Sequence, residues 1–431
     1  MRKVVVLLLV VALGVAGAYV AAGMQAPPSV SITRPGKFAG AAIPLALNVT
    51  TPDGVPADVA VTFEQNGAVT AVPGVPATIS AQTVPGLKVA AGPAKITVTA
   101  SRRVWRLRTL TATASADVTI KLEKPRVAVL STKHYINLGG SEFIVYRATP
   151  AGVESGVKVG DLEYKGFPLK ADGDIYGAFF ALRYDQDVNT PMTLFARDET
   201  GETATSGFDR LTFPKQFKKS TIPLDDSFLN RVVPAILAGT QEVAPQGALS
   251  EQFVVINSEL RKKNNATIAS LSAKTAPSML WGGEVFHSFR NNAAEAAFAD
   301  FRTYVYQGKD VDKQVHLGFD LASFANTPIL AANKGTVVFA AELGIYGNCV
   351  ILDHGMGVQS LYGHLSSITV KVGDTVTKEQ ELGKSGMTGL AGGDHLHFTM
   401  LVNGQMVNPI EWWDAHWIQD RILRKLKDAG F

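Results

Sequence analysis

The chain opens with two basic residues, Arg2 and Lys3, followed by an unbroken run of apolar or small side chains from Val4 to Ala22. These 19 residues exceed the roughly 7 to 15 of a secretory hydrophobic core and approach the roughly 20 that span a bilayer as a helix. The pattern predicts a signal segment over residues 1–25, retained as an anchor in the inner membrane by residues 4–22. The alternative is a signal peptide cleaved after the small residues Val20-Ala21-Ala22, which yields a secreted product. Arg2 and Lys3 favour a cytoplasmic N-terminus, so the remainder is expected in the periplasm.

From Pro27 to Lys121 short alternating runs such as Val59-Ala60-Val61-Thr62-Phe63 are separated by Gly, Pro and Asp-Gly turns, the pattern of a small β-sandwich. Leu122-Glu123-Lys124-Pro125 reads as a joint. A second β-rich stretch follows, with Phe143-Ile144-Val145-Tyr146-Arg147 and Met192-Thr193-Leu194-Phe195-Ala196 as strands. Between Ser220 and Leu280 the spacing turns helical, with Asp225-Asp226-Ser227 as a start signal and Pro234 and Pro245 as expected breaks. From Trp281 the pattern is β again. The expectation is a mainly β chain: a β-sandwich-like module over 26–122, a second β module over 123–214, a helical connector over 215–280, and a C-terminal antiparallel β-sheet domain over 281–431.

Charge adds an exclusion. Lys and Arg total 41 against 38 for Asp and Glu, so nothing marks a nucleic-acid partner. Cys349 is the single cysteine. It permits no internal disulfide and excludes a thiolate cluster, so any metal must use histidines and carboxylates. Within Asn348-Cys349-Val350-Ile351-Leu352 it reads as a buried small hydrophobe.

Seven of the eight histidines follow Trp281, and their spacing carries chemistry. In Gln314-Val315-His316-Leu317-Gly318-Phe319-Asp320-Leu321, a strand would put His316, Gly318 and Asp320 on one face and Leu317, Phe319 and Leu321 on the other. In His395-Leu396-His397-Phe398 two imidazoles share a face, with Leu396 and Phe398 behind. His364 lies in Leu361-Tyr362-Gly363-His364-Leu365. Each piece alone has a structural explanation. Together, two histidines and one carboxylate leave the fourth position of a tetrahedral zinc ion open for water, as a catalytic site requires. The zinc would lower the pKa of that water and polarise a carbonyl under attack.

These residues resemble the lysostaphin-type (LytM-like) zinc endopeptidases that cut peptide bridges in bacterial cell walls. The resemblance covers about Gly308 to Trp413. It runs through His316-Leu-Gly-Phe-Asp320, the turn and strand over 344–355, Tyr362-Gly-His364-Leu365, Val372-Gly-Asp-Thr-Val376, and Gly392-Gly-Asp-His395-Leu-His397-Phe398. It implies one zinc ion per chain held by His316, Asp320 and His397, with His364 and His395 assisting catalysis. It also implies a periplasmic metalloendopeptidase hydrolysing the peptide crosslinks of peptidoglycan through a zinc-activated water. The alternative is a non-catalytic wall-binding or hydrolase-regulating protein that keeps the fold, although all five positions are filled. A protein partner of the upstream β modules is left unidentified.

The chain departs from the family's Phe-Gly-x-Arg segment, having Phe298-Ala299-Asp300-Phe301-Arg302 in its place. The stretch over 370–376 with Gly383-Lys384-Ser385-Gly386 also resembles the hammerhead of lipoyl carriers, which need a lysine at an exposed hairpin tip. His134, His287, His354 and His416 are read as structural or surface residues.

Overall fold

The computed structural model describes residues 2–83, 87–287 and 292–431. The chain is mainly β, and its contacts divide it into two compact units, Met1–Lys124 with Asp198–Glu202, and Pro125–Arg197 with Thr203–Phe431.

In the first unit the apolar run forms one helix, Arg2–Gly23. Behind it two sheets enclose a core. One is antiparallel, in the order Ser29–Arg34, Pro44–Thr50, Thr78–Thr83. The other runs Phe38–Ala39, Arg108–Ile120, Gly92–Val104, Asp58–Gln65, Ala68–Val72. Period-two alternation turns Ala94, Ile96, Val98 and Ala100 inward, where they meet Leu45 and Leu47 of the smaller sheet. The intervening polar residues face out.

The second unit gathers the rest around one hydrophobic cluster. Its first part holds two four-stranded sheets, one centred on Ser141–Thr149 and Ile175–Ala181 and one on Glu154–Val159 and Met192–Arg197. The helical stretch begins with a strand, Lys219–Leu224, which pairs in parallel with Asp300–Tyr306. The helix Asp226–Gly239 follows, capped by Asp225, whose side chain accepts from the Phe228 amide at 2.7 Å. Pro234 does not break this helix. It lies on the exposed face, and burial of Leu229, Val232, Val233 and Ile236, each contributing roughly 1.5–3 kcal/mol, outweighs the one hydrogen bond that proline removes. Helix Leu249–Val255, a π-turn at Ile256–Leu260 and helix Arg261–Ser270 complete the segment.

The C-terminal sheet is antiparallel, in the order Ala293–Ala296, Phe319–Ala322, Leu396–Val402, Val358–Leu365, Asn348–Gly355, Gly335–Glu342, Thr375–Val376, with Gln405–Val407 added beside Leu396–Val402. Its central strands are buried on both faces. Trp412 is fully buried against Phe179, Trp281, Phe286 and Trp417. Cys349 is buried too, and burial pushes its thiol pKa up. Lys384 ends a strand, Glu381–Lys384, that is hydrogen-bonded on both sides. That is not the exposed hairpin tip a carrier needs.

Candidate metal centre

Register on three neighbouring strands sets the site. Asp320 pairs with His397, and His397 pairs on its other side with Gly363, the residue before His364. Leu396 and Phe398 are buried behind, and Phe398 also packs on Tyr362 and Trp413. The histidines therefore stand on a backbone with no room to shift.

His316 arrives differently. The sequence pattern suggested one strand through His316 and Asp320, but a strand ends at His316, the chain bends at Leu317-Gly318, and a second strand, Phe319–Ala322, begins in another sheet. The bend, not strand parity, brings the two side chains together. Gly318 is required there, because a Cβ would lie 2.5 Å from His397 Cε1 and 2.8 Å from the Phe398 carbonyl oxygen.

Three donor atoms converge. His316 Nε2 lies 2.9 Å from Asp320 Oδ1 and 3.0 Å from His397 Nδ1, and His397 Nδ1 lies 3.0 Å from Asp320 Oδ1. Ligands about 2.0–2.1 Å from a tetrahedral zinc ion lie about 3.3 Å apart, so a small expansion of this triangle accommodates the ion. His316 Nδ1 faces the Ala297 carbonyl at 3.2 Å. A carbonyl only accepts, so Nδ1 carries a proton, and Nε2 is the nitrogen left to face a metal ion. The donor set suits zinc, and these are the residues among those described that could hold an ion. All three are nearly buried. Burial alone would raise the Asp320 pKa, but His316, with hydrogen bonds from His395 and His397, holds it well below the usual carboxylate range. Burial is the main cause of the fall of the His397 pKa to about 4.

The two remaining histidines flank the triangle. His364 Nδ1 donates to the Thr388 carbonyl at 2.8 Å, leaving Nε2 with a lone pair. Burial, then His395 and His397, push its pKa well down, so it is neutral. His395 Nδ1 donates to the Gly393 carbonyl at 2.9 Å, and its Nε2 lies 3.4 Å from Asp320 Oδ1. Both partners only accept, which favours the doubly protonated ring. Burial opposes that, but Asp320 outweighs it and the pKa is raised. One acceptor and one donor thus face the same cleft. His364 also holds φ at +63°, a costly backbone state of the kind found at functional sites.

The cleft, of ≈ 100 Å³, opens beside a groove of ≈ 520 Å³ that shares Arg302, Tyr304, Asp320, Leu390 and Gly392 with it. Sequence reasoning missed three arginines around it. Arg302 donates to Asp320 Oδ2 at 3.1 Å and to Asp300 Oδ2 at 3.3 Å. Arg231, on the helix Asp226–Gly239, donates to the Ala391 and Gly392 carbonyls at 2.9 and 3.3 Å, fixing the loop that leads into His395. Arg261 lines the cleft and follows the π-turn, an irregularity common at functional sites. Its Nε and Nη2 donate to the carbonyl and side-chain oxygens of buried Asn257, whose amide donates to Asp312 at 2.7 Å. For Arg231 and Arg261 the only signal was an arginine within a helical pattern, which says nothing of where the helix packs, and Arg302 closes the segment that stands in place of Phe-Gly-x-Arg, on the strand Asp300–Tyr306.

The other histidines lie apart. His134 is buried against Ser131 and the Asp209 carbonyl, and His354 is buried between the Lys334 carbonyl and Ser360. His287 pairs with Glu379, and His416, highly exposed, with Asp420. Asp394 Oδ2 accepts from the Asn326 amide at 3.2 Å.

Residues 314–409 match the sequence model of Peptidase family M23. The chain carries a peptidase M23 domain at its C-terminus. The chain is 39% identical over 97 residues to the DD-carboxypeptidase/endopeptidase Mpg of Neisseria meningitidis serogroup B, covering 22% of each chain. It is 38% identical over 96 residues to the peptidoglycan DD-endopeptidase ShyA of Vibrio cholerae serotype O1, again 22% of each. The chain thus spans about a fifth of the length of the curated relatives it matches. Among solved structures, a putative peptidase M23 from Pseudomonas aeruginosa aligns with a TM-score of 0.41 at 22% identity, over 64% of this chain and 94% of that one. The catalytic domain of lysostaphin from Staphylococcus simulans aligns with a TM-score of 0.25 at 29% identity, over 28% of this chain and 92% of that one. His316, Asp320, His364, His395 and His397 fall inside the M23 match, and Arg231, Arg261 and Arg302 fall before it.

Proposed function

We propose that the protein is an exported zinc metalloendopeptidase that hydrolyses the peptide crosslinks of peptidoglycan. The observation that carries this reading is the triangle of His316 Nε2, Asp320 Oδ1 and His397 Nδ1, with sides of 2.9–3.0 Å, open to a cleft that two further histidines face.

Zinc bound by these three residues would supply a Lewis acid that acidifies water and polarises a carbonyl. The chain's own groups perform the rest. His364, neutral and with its Nε2 lone pair free of the Thr388 contact, takes the proton of the attacking water. His395, whose pKa Asp320 raises against burial, donates from Nε2 to the oxygen on which negative charge develops. The proton held on His364 then passes to the departing amine. Arg302 donates to Asp320 Oδ2 and fixes the orientation of that carboxylate. Arg261, which has no carboxylate within ion-pair distance among the described residues, binds a carboxylate of the substrate peptide beside the scissile bond.

The name of the Vibrio relative, a peptidoglycan DD-endopeptidase, supports a peptidoglycan substrate. The helix Arg2–Gly23, long and apolar enough to cross a membrane, supports a periplasmic enzyme held at the inner membrane. The test is the zinc content of the full chain together with release of peptide fragments from isolated cell walls, with and without a chelator. One zinc per chain and chelator-sensitive release are expected; a chain that binds no zinc would overturn the reading.

A further inference from the structure

The N-terminal unit carries a surface unconnected with hydrolysis. The long hairpin Gly92–Val104 with Arg108–Ile120 stays in register from Gly92↔Ile120 to Val104↔Arg108, and its tip is Trp105-Arg106-Leu107. Trp105 is 58% exposed and Leu107 39%. Arg103 and Arg106 are exposed as well. Trp105 and Arg106 hold φ at +50° and +60°, where such a turn ordinarily selects Asn and Gly. The fold accepts this backbone cost and presents an indole and a guanidinium at its end.

The strands that carry this tip lie against the end of the apolar helix. The Arg108 guanidinium sits over the Tyr19 ring at 5.1 Å, and a Cβ on Gly23 would collide with Arg108 Nη1. Further down the hairpin, Arg102 donates to the Ala26 carbonyl at 2.9 Å. The hairpin therefore runs back along the end of the helix, with Arg102 level with Ala26 and Arg108 level with Tyr19 and Gly23. The tip follows directly on this contact, since Val104 pairs with Arg108 across its base. Ala22 is buried and Ala18 and Ala21 are half-buried in this region, whereas Arg2 to Gly17 are exposed throughout. At about 1.5 Å per residue a helix of this length matches a hydrocarbon layer of about 30 Å, so Tyr19 and the Arg108 that covers it fall near its outer boundary.

We propose that Trp105 and Leu107, flanked by Arg103, Arg106 and Arg108, seat the N-terminal unit on the anionic phospholipid surface of the membrane that the helix enters. Aromatic rings favour that boundary, and guanidinium groups bind its phosphates. The inference rests on the reading that Arg2–Gly23 is retained as an anchor. Its consequence is that the N-terminal unit stands at a fixed angle to the bilayer instead of swinging on its helix.

The test uses the full chain reconstituted into vesicles of phosphatidylcholine and phosphatidylglycerol, with bromine on the acyl chains near the headgroups as a quencher of tryptophan. Wild-type emission should fall, and at least half of that loss should disappear in Trp105→Phe, since Trp281, Trp412 and Trp417 are buried and Trp413 is half-buried against Phe319 and Phe398. The double variant Arg103→Gln/Arg106→Gln should lose the excess quenching seen in vesicles containing phosphatidylglycerol over phosphatidylcholine alone. If the chain floats with the vesicles but Trp105→Phe is quenched like wild type, the hairpin inference fails and the anchor stands. If the chain does not float with them, both fail. Retention of the wild-type tip on isolated cell-wall sacculi, without lipid quenching, would assign the tip to the wall and overturn the inference.

Discussion

Arg302 donates to Oδ2 of Asp320, and the opposite oxygen of the same carboxylate, Oδ1, faces His316 and His397. The guanidinium is itself held by Asp300, which accepts from Ser220 Oγ at 2.8 Å. A chain of charge-assisted hydrogen bonds thus decides which carboxylate oxygen is offered to a metal. Removing such an outer partner typically costs about 10–100-fold in metal affinity. Arg302→Ala should weaken zinc binding by about that factor, read by competition with a chromophoric chelator, and Arg302→Lys should lose less. Unchanged affinity in both variants would remove Arg302 from the site.

The proposed division of labour between ligands and assisting histidines separates two readouts. Asp320→Ala should abolish metal binding and hydrolysis together. His364→Ala should keep its zinc and lose about 10²–10⁴-fold in kcat. Metal analysis beside wall-hydrolysis kinetics checks both, and a His395→Ala variant as active as the parent would exclude that residue from the reaction.

Gly318 makes a purely steric prediction. A side chain there meets the His397 ring at 2.5 Å and the Phe398 backbone at 2.8 Å, so the strand cannot yield. Gly318→Ala should displace the imidazole and lower zinc stoichiometry, while circular dichroism of the folded chain stays close to the parent's. Full zinc occupancy would show that the bend relaxes more easily than its packing indicates.

Arg261 tests substrate recognition independently of the metal. A hydrogen bond to a charged group is worth roughly 1.5–3 kcal/mol, so Arg261→Ala should raise KM about 10–100-fold at unchanged zinc content. The effect should shrink on a peptide whose carboxylates are amidated. Equal effects on both peptides would refute a carboxylate contact.

Glu411 gives a pH signature. Its Oε1 accepts from Asn137 and its Oε2 from the Ser141 amide, each at 2.8 Å. Burial raises its pKa to about 7, against those hydrogen bonds and with help from Glu142. A raised carboxyl pKa means that the stabilising contribution is fully present below the unfolded value near 4.5 and is lost as pH rises through about 7. Between pH 5 and 8 wild type should therefore lose stability relative to Glu411→Gln, on the order of 3 kcal/mol at most. Urea midpoints of the two proteins across that range check it, and parallel curves would refute it.

The sequence by itself determined the mainly β class, the apolar N-terminal helix and the M23 resemblance, because period, run length and motif spacing are local properties. The five histidine and aspartate positions were legible for the same reason, each lying within a short stretch whose spacing survives folding. Other features were decided only by tertiary structure. The bend at Gly318 that carries His316 from one sheet to another depends on how the His397 ring packs. Pro234 sits inside a helix because four buried side chains outweigh its lost hydrogen bond. Arg261 and Arg302 reach the cleft, and Arg231 the groove beside it, from outside the M23 match, and Arg108 reaches Tyr19 across the N-terminal unit. Such contacts join residues far apart in the chain, where periodicity carries no information and only three-dimensional packing determines which charges meet.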